Sequence, residues 1–246
     1  MFVVCVVYLG IYTYNSNRAL EHFDELEQMV AGRSADGNTG ESTWEIPPDY
    51  SKNSDGKLNC YAELSERNPE MVGWLKIYGT AVNYPVMQQK DNNSFYLSHN
   101  FDKNKQSGGL PVLDYQCDIE KPSDNLIIYG HNMRNGSVFN SLLKYKKEEF
   151  LKEHMTIVFD TLYEHREYTV MAVFNTKVGS NKEFRYHDFV ETFSKEEFDE
   201  FVSTVKELSI HKTGVDAQFG DNLLTLSTCS YGTSNERLVV VAKRIL

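Results

Sequence analysis

The sequence predicts a mainly β domain that closes into a barrel of about eight strands, with helices at its N-terminal end and one before the last two strands. Three observations point there. Short apolar runs, typically about four to eight residues long, recur between clusters of Gly, Pro, Asn and Asp. Strand-favouring aromatics are abundant, with 15 Tyr and 14 Phe against only 6 Pro. Helical periodicity is confined to a few segments, and many short strands with few helices suit a closed barrel. At 246 residues and 41% hydrophobic, the chain can bury one sizeable core with a helical appendage. Its net charge of −10 argues against nucleic-acid binding, which wants a basic face.

Residues 1–14 are expected to be a membrane anchor whose start lies outside this sequence. Phe2 to Tyr14 is almost wholly apolar and carries no charge. It is nevertheless shorter than the roughly 20 residues that span a bilayer, and no basic residues precede it; a buried terminal helix is the competing reading. Residues 15–71 read as a helical segment and linker. Asn17 to Val30 places Leu20, Phe23, Leu26 and Val30 at helical spacing with acids between them, an amphipathic helix that packs on the back of the domain. Gly32 to Asp49, with three glycines, Pro47 and Pro48 among polar residues, is a linker. Asn59 to Asn68 is a short helix, ended by Pro69.

Residues 72–246 are expected to form the barrel domain. Trp74 to Ile77 and Val82 to Val86 read as strands separated by Gly79-Thr80. Asp91 to Leu97 is a helical or irregular turn, and Gly108 to Leu113 leads into a further strand. Asn125 to Tyr129 is a short apolar strand. Ser137 to Glu153 reads as one helix with Phe139, Leu142, Leu143, Phe150 and Leu151 on its apolar side. Thr156 to Tyr163 and Glu167 to Phe174 form a hairpin across the polar turn Glu164-His165-Arg166. Ser194 and Glu197 form a capping box for a helix to about Leu208, which packs through Phe198, Phe201, Val202 and Val205. Two strands complete the count.

Those last two strands carry the chemistry. Leu223 to Cys229, read with period two, puts Leu223, Thr225, Ser227 and Cys229 on one face and Leu224, Leu226 and Thr228 on the other. The thiol therefore ends a strand whose face turns polar as it approaches. A turn follows, then Arg237 stands at the mouth of the apolar run Leu238 to Ala242. A thiolate nucleophile and a fixed cation that can hold an oxyanion are what acyl transfer needs. A strand-end cysteine alone is weak evidence, because free cysteines are among the most buried residues. A histidine with matching placement sharpens it. Asn125 to Tyr129 ends in Gly130-His131-Asn132, where Gly130 permits a close backbone approach and His131 leaves the strand as a loop begins. His131 and Cys229 would meet only through the fold.

Thr225-Leu226-Ser227-Thr228-Cys229, with Arg237 eight positions on and Gly130-His131-Asn132 upstream, resembles the signature of the sortases, cysteine transpeptidases that attach proteins to the cell wall of Gram-positive bacteria. Asn132 to Phe139, leading into Leu142 and Tyr145, is similar to the class B branch. The resemblance implies a closed sortase-type barrel. It also implies a reaction in which Cys229 attacks a backbone carbonyl of a C-terminal sorting signal to form a thioacyl-enzyme. His131 would then serve the leaving and incoming amines as acid and base, and Arg237 would hold the oxyanion. The acceptor would be an amine of a peptidoglycan cross-bridge. The sorting-signal groove of class B relatives maps onto Asn93, Leu97, Tyr186, Ser227 and Thr228. The resemblance further implies an N-terminal membrane anchor with the enzyme outside the cell, facing the wall. No cofactor and no metal are expected, since no CxxC or HxxxH spacing points to zinc. The calcium used by some class A sortases is not carried over, and Asp114, Asp118 and Glu120 read as solvated loop charges.

With Cys5 in the apolar terminus, Cys60, Cys117 and Cys229 remain, an odd number that leaves at least one thiol free. A Cys60–Cys117 disulfide stays open. His99, His154, His165, His187 and His211 read as surface residues, with His99 the one rival to His131. Two other function classes remain open on the residues. Another cysteine acyl-transfer enzyme, such as a cell-wall peptidase, is disfavoured because papain-like enzymes place Cys before His. A noncatalytic surface module leaves a Cys and an Arg at one strand-end rim unexplained.

Overall fold

Strand pairing alone sets the architecture. In chain order the strands are β1 (Met71–Lys76), β2 (Asn83–Met87), β3 (Val112–Leu113), β4 (Asn125–Gly130), β5 (Thr156–Thr161), β6 (Glu167–Lys177), β7 (Leu223–Cys229) and β8 (Glu236–Arg244). They join in the order β1-β2-β3-β4-β7-β8-β6-β5, and pairing of β5 with β1 closes the barrel as the sequence predicts. The pairings β2–β3 and β4–β7 are parallel; the rest are antiparallel. This computed structural model describes residues 18–31, 48–179, 184–229 and 235–246, with the backbone alone at position 229.

Among the described residues four α-helices accompany the barrel: α1 (residues 18–30), α2 (Asn59–Arg67), α3 (Glu148–Glu153) and α4 (Lys195–Leu208). Helix α4 starts as the sequence predicts, with the Ser194 hydroxyl accepting from the Glu197 amide at 3.2 Å. The Glu197 carboxylate in turn accepts from the Phe193 amide at 2.9 Å. Phe198, Phe201, Val202 and Val205 are all buried, and α4 packs on β6. Each such burial stabilises by about 1.5–3 kcal/mol. In β8 the run Leu238–Ala242 is buried and apolar throughout rather than alternating, with the segment Asn140–Lys146 also packed against that strand.

Three local expectations are corrected. In α1 the buried face is Ala19, Phe23, Leu26 and Val30, while Leu20 is 40% exposed. Phe23 docks edge-on against Tyr84 of β2 at 4.8 Å, and at 100° per residue Ala19 lies nearer that line than Leu20. The segment Ser137 to Glu153 is not one helix. It is a 3₁₀ helix, Asn140–Lys146, and then α3, separated by Lys147 in an extended conformation. The buried residues Phe139, Leu142 and Tyr145 recur every third position, which a 3₁₀ helix of three residues per turn aligns and an α-helix does not. Asp114 is not a solvated loop charge: it is 2% exposed and accepts the Tyr129 hydroxyl at 2.8 Å.

Cys60 and Cys117 are both free, which closes the question of their pairing. The histidines read as surface residues are partly buried and bonded. His165 meets the buried Asp160 at 2.7 Å, His154 meets the Tyr78 carbonyl at 2.8 Å, and His211 meets the Tyr145 carbonyl at 2.8 Å.

The expected location at the cell membrane, held by a single N-terminal anchor, is also corrected. Among the described residues no helix is long and apolar enough to cross a membrane. Helix α1 is amphipathic and docked on the barrel rather than apolar all round. Residues 1–14, where the anchor was expected, lie outside the described residues, as does most of the expected linker, residues 32–47.

Candidate active site

Three neighbouring strands bring the chemistry together. In the parallel β4–β7 ladder Gly130 pairs with Thr228, so His131 and Cys229, each one residue further on, stand level. In the antiparallel β7–β8 ladder Cys229 pairs directly with Arg237. Backbone register thus sets His131, Cys229 and Arg237 in one row across β4, β7 and β8. His131 and Cys229 are 98 residues apart in the chain, and the crossover that joins them runs through β5, β6 and α4.

The position of His131 is set from two sides. Its carbonyl accepts the Phe139 amide at 2.9 Å, which closes the loop after β4. Below it, a Cβ on Gly130 would lie 2.6 Å from the Phe139 ring, so only glycine admits that fully buried ring there. The same loop holds Val138 at φ 54°, a strained conformation for a β-branched residue, with its amide donating to the Tyr84 hydroxyl at 3.1 Å.

Burial, and secondarily the nearby Arg237 charge, hold the His131 pKa below the usual histidine range. The imidazole is therefore neutral around pH 7. Arg237 donates to the Glu236 carbonyl at 3.0 Å and is half-buried.

A cleft of about 350 Å³ opens along this row, a size that suits part of a peptide. It is lined by His131 and Arg237 together with every residue expected in a substrate groove: Asn93, Leu97, Tyr186, Ser227 and Thr228. Tyr186, on a short 3₁₀ turn before α4, is buried, and its hydroxyl shares a 2.7 Å hydrogen bond with the Ser227 hydroxyl. The Thr228 hydroxyl is buried with no protein partner among the described residues, so one polar atom on the wall is left for a bound molecule to satisfy. His99 does not line the cleft; it stacks on Phe95 at 4.0 Å and bonds the Phe95 carbonyl at 2.7 Å.

Sequence reasoning missed Tyr129, Val178 and His187 on the cleft wall. Tyr129 had a signal available, since it immediately precedes Gly130-His131 and would share their strand end. His187 also had one, since it directly follows Tyr186, which the resemblance already placed in the groove; Val178 had none, because only the fold brings the end of β6 to this rim. Among the described residues no group of three or more His, Cys, Asp or Glu is placed to hold a metal ion.

Comparisons with known proteins converge on one family. A family model described as the Sortase domain matches residues 75–245. Sortase B of Listeria monocytogenes is 35% identical over 187 residues, covering 74% of this chain and 73% of that protein. The crystal structure of sortase B from Bacillus anthracis in complex with AAEK1 superposes with a TM-score of 0.78 at 28% identity, covering 95% of this chain and 99% of that one. A Staphylococcus aureus sortase B–substrate complex superposes with a TM-score of 0.70 at 29% identity, covering 77% and 86%.

Proposed function

The chain belongs to the sortase family, cysteine transpeptidases that act in cell-wall anchoring, and we propose that it cleaves the C-terminal sorting signal of secreted proteins and transfers them to an amine of the peptidoglycan cross-bridge. In this reading Cys229 is the nucleophile, His131 the acid and base, and Arg237 the oxyanion holder. Asn93, Leu97, Tyr186, Ser227 and Thr228 seat the signal. The observation that supports it is the register row: backbone pairing levels those three positions on adjacent strands, and His131 and Arg237 of that row line one cleft. The structural relative solved as a sortase B–substrate complex supports a substrate of that family as the occupant.

The steps follow from the groups. The thiol of Cys229 passes its proton to the neutral His131 as sulfur bonds to the scissile carbonyl carbon. The oxygen gains negative charge, and the Arg237 guanidinium, charged at any working pH, stabilises it. The carbon–nitrogen bond then breaks as the His131 imidazolium gives its proton to the leaving amine, and a thioester remains. In the second half the acceptor amine attacks that thioester and yields a proton to His131. The carbon–sulfur bond breaks, and the thiolate recovers the proton. A neutral resting His131 fits this cycle, since it must accept a proton first in each half.

The test is Cys229→Ala assayed with a sorting-signal peptide. Cleavage should vanish while the melting temperature stays near that of the parent. Residual turnover within about tenfold of the parent would remove Cys229 from the nucleophile role.

A further inference from the structure

One cleft wall is held from outside the cleft by a single turn. Asp114 follows β3 and is buried, and its carboxylate accepts from the Tyr129 hydroxyl at 2.8 Å and the Gln116 amide at 3.0 Å. The next residue, Tyr115, donates its backbone N–H to the Asn93 side-chain oxygen at 2.8 Å. The turn itself is pinned, because Gln88 donates to the carbonyls of both Asp114 and Cys117 at 2.8 Å. Tyr129 and Asn93, contributed by β4 and by the segment after β2, are thus both set by Asp114-Tyr115, which does not line the cleft.

Two consequences follow for what the wall offers. A backbone N–H can bond only the oxygen of an asparagine amide, so the Asn93 flip is fixed by Tyr115. Its NH₂ has no partner among the described residues, and Asn93 lines the cleft. The Tyr129 phenol is half-buried beside a carboxylate; that burial and the Asp114 charge push its pKa up and keep the proton on oxygen, donated to Asp114. Tyr129 therefore shows the cleft its ring rather than a spare donor. With Leu97 alongside, the wall pairs an apolar floor with one N–H donor.

We propose that Asp114 is a positioning residue for the transpeptidase reaction: it and the Tyr115 amide set Tyr129 and Asn93 so that this wall takes a carbonyl oxygen of the sorting signal. The proposal rests on the peptide-cleaving function proposed above. Asp114 acts on binding of the signal and touches no reacting atom.

The experiment compares Asp114→Ala with the parent in steady-state cleavage of a fluorogenic sorting-signal peptide. Loss of one hydrogen bond to a charged group should raise KM about tenfold, with kcat held within about twofold. Asp114→Asn keeps an oxygen for the Tyr129 hydroxyl and should return KM to within about threefold of the parent. An unchanged KM in folded Asp114→Ala, or a fall in kcat at constant KM, overturns the proposal. Should that variant fail to fold, Tyr129→Phe deletes the same bond from its other end, and an unchanged KM there overturns it equally. A parent that does not cleave the peptide refutes the functional reading alone. Binding of the labelled peptide, followed by fluorescence anisotropy, then decides Asp114: about tenfold weaker binding by Asp114→Ala supports the proposal, and equal binding or none by the parent overturns it.

Discussion

Replacing Gly130 with alanine puts a single methyl group at the most constrained point of the site. The glycine has no left-handed φ, so alanine suffers no backbone strain there and any effect comes from contact alone. The new Cβ would sit 2.6, 2.8 and 2.9 Å from three atoms of the Phe139 ring, where ordinary contact begins at 3.4 Å. Something must move by about 0.8 Å, from 2.6 to 3.4 Å. If the ring moves, it takes along the amide that holds the His131 carbonyl at 2.9 Å. If β4 moves instead, His131 shifts against β7, to which Gly130 is paired. Either relaxation displaces the imidazole from the register row. Overpacking of this kind costs about 1–3 kcal/mol, which in a chain of this size lowers Tm by about 2–12 °C. A misplacement near 1 Å costs about 10²-fold in rate, or about 2.7 kcal/mol of transition-state stabilisation. The assay is kcat/KM on the sorting-signal peptide with melting followed in parallel. Adding Phe139→Leu, which removes the ring, should recover the rate to within about tenfold of the parent. A folded Gly130→Ala protein with near-parental kcat/KM, or a loss that Phe139→Leu leaves untouched, refutes the reasoning.

Two further outcomes follow from the same structure. Arg237→Ala removes the smaller of the two causes that depress His131, so its pKa should rise yet stay below the ordinary histidine value, because burial remains. Ring-carbon NMR titration reads this, and an unmoved pKa would show that the Arg237 charge is not felt. The same shift has a stability sign: the unfolded chain takes the proton first, so in the parent this residue removes stability as pH falls below about 6.5. The variant should lose less on acidification. Ser194→Ala deletes the cap of α4 at a cost of about 1 kcal/mol, a Tm drop of about 2–4 °C, with peptide cleavage unchanged. Calorimetry showing no drop would mean that the serine does not hold the helix end.

Much of this architecture is local physics and so was readable along the chain. Strands bounded by glycine and asparagine, the Ser194 cap and the four buried residues of α4 depend on periodicity and near neighbours, which a sequence displays directly. The reading failed where a tertiary neighbour overrode the local pattern. Ser137 to Glu153 has helical composition, yet its Phe139, Leu142 and Tyr145 row follows a period of three because the ring of Phe139 is seated under Gly130. Asp114 looks like any loop acid until the Tyr129 hydroxyl is found against it.

The sequence by itself determined which residues could do the chemistry: a strand-end thiol, a histidine after a glycine and an arginine across a turn. Their identity and their strand-end placement are one-dimensional facts, whereas Asn93, Leu97, Tyr186, Ser227 and Thr228 were expected in a groove only through the resemblance to class B sortases. Only the tertiary structure decided that His131 and Arg237 line one cleft with the backbone of Cys229 in register between them. Parallel pairing of β4 with β7 levels His131 with Cys229, and antiparallel pairing of β7 with β8 levels Cys229 with Arg237. Register is a property of two strands at once, and a one-residue slip would move every side chain to the opposite face. Burial made the same kind of decision for the electrostatics. Whether His131 rests neutral depends on the protein packed around it and on the nearby Arg237 charge, and neither neighbour is adjacent to it in the chain.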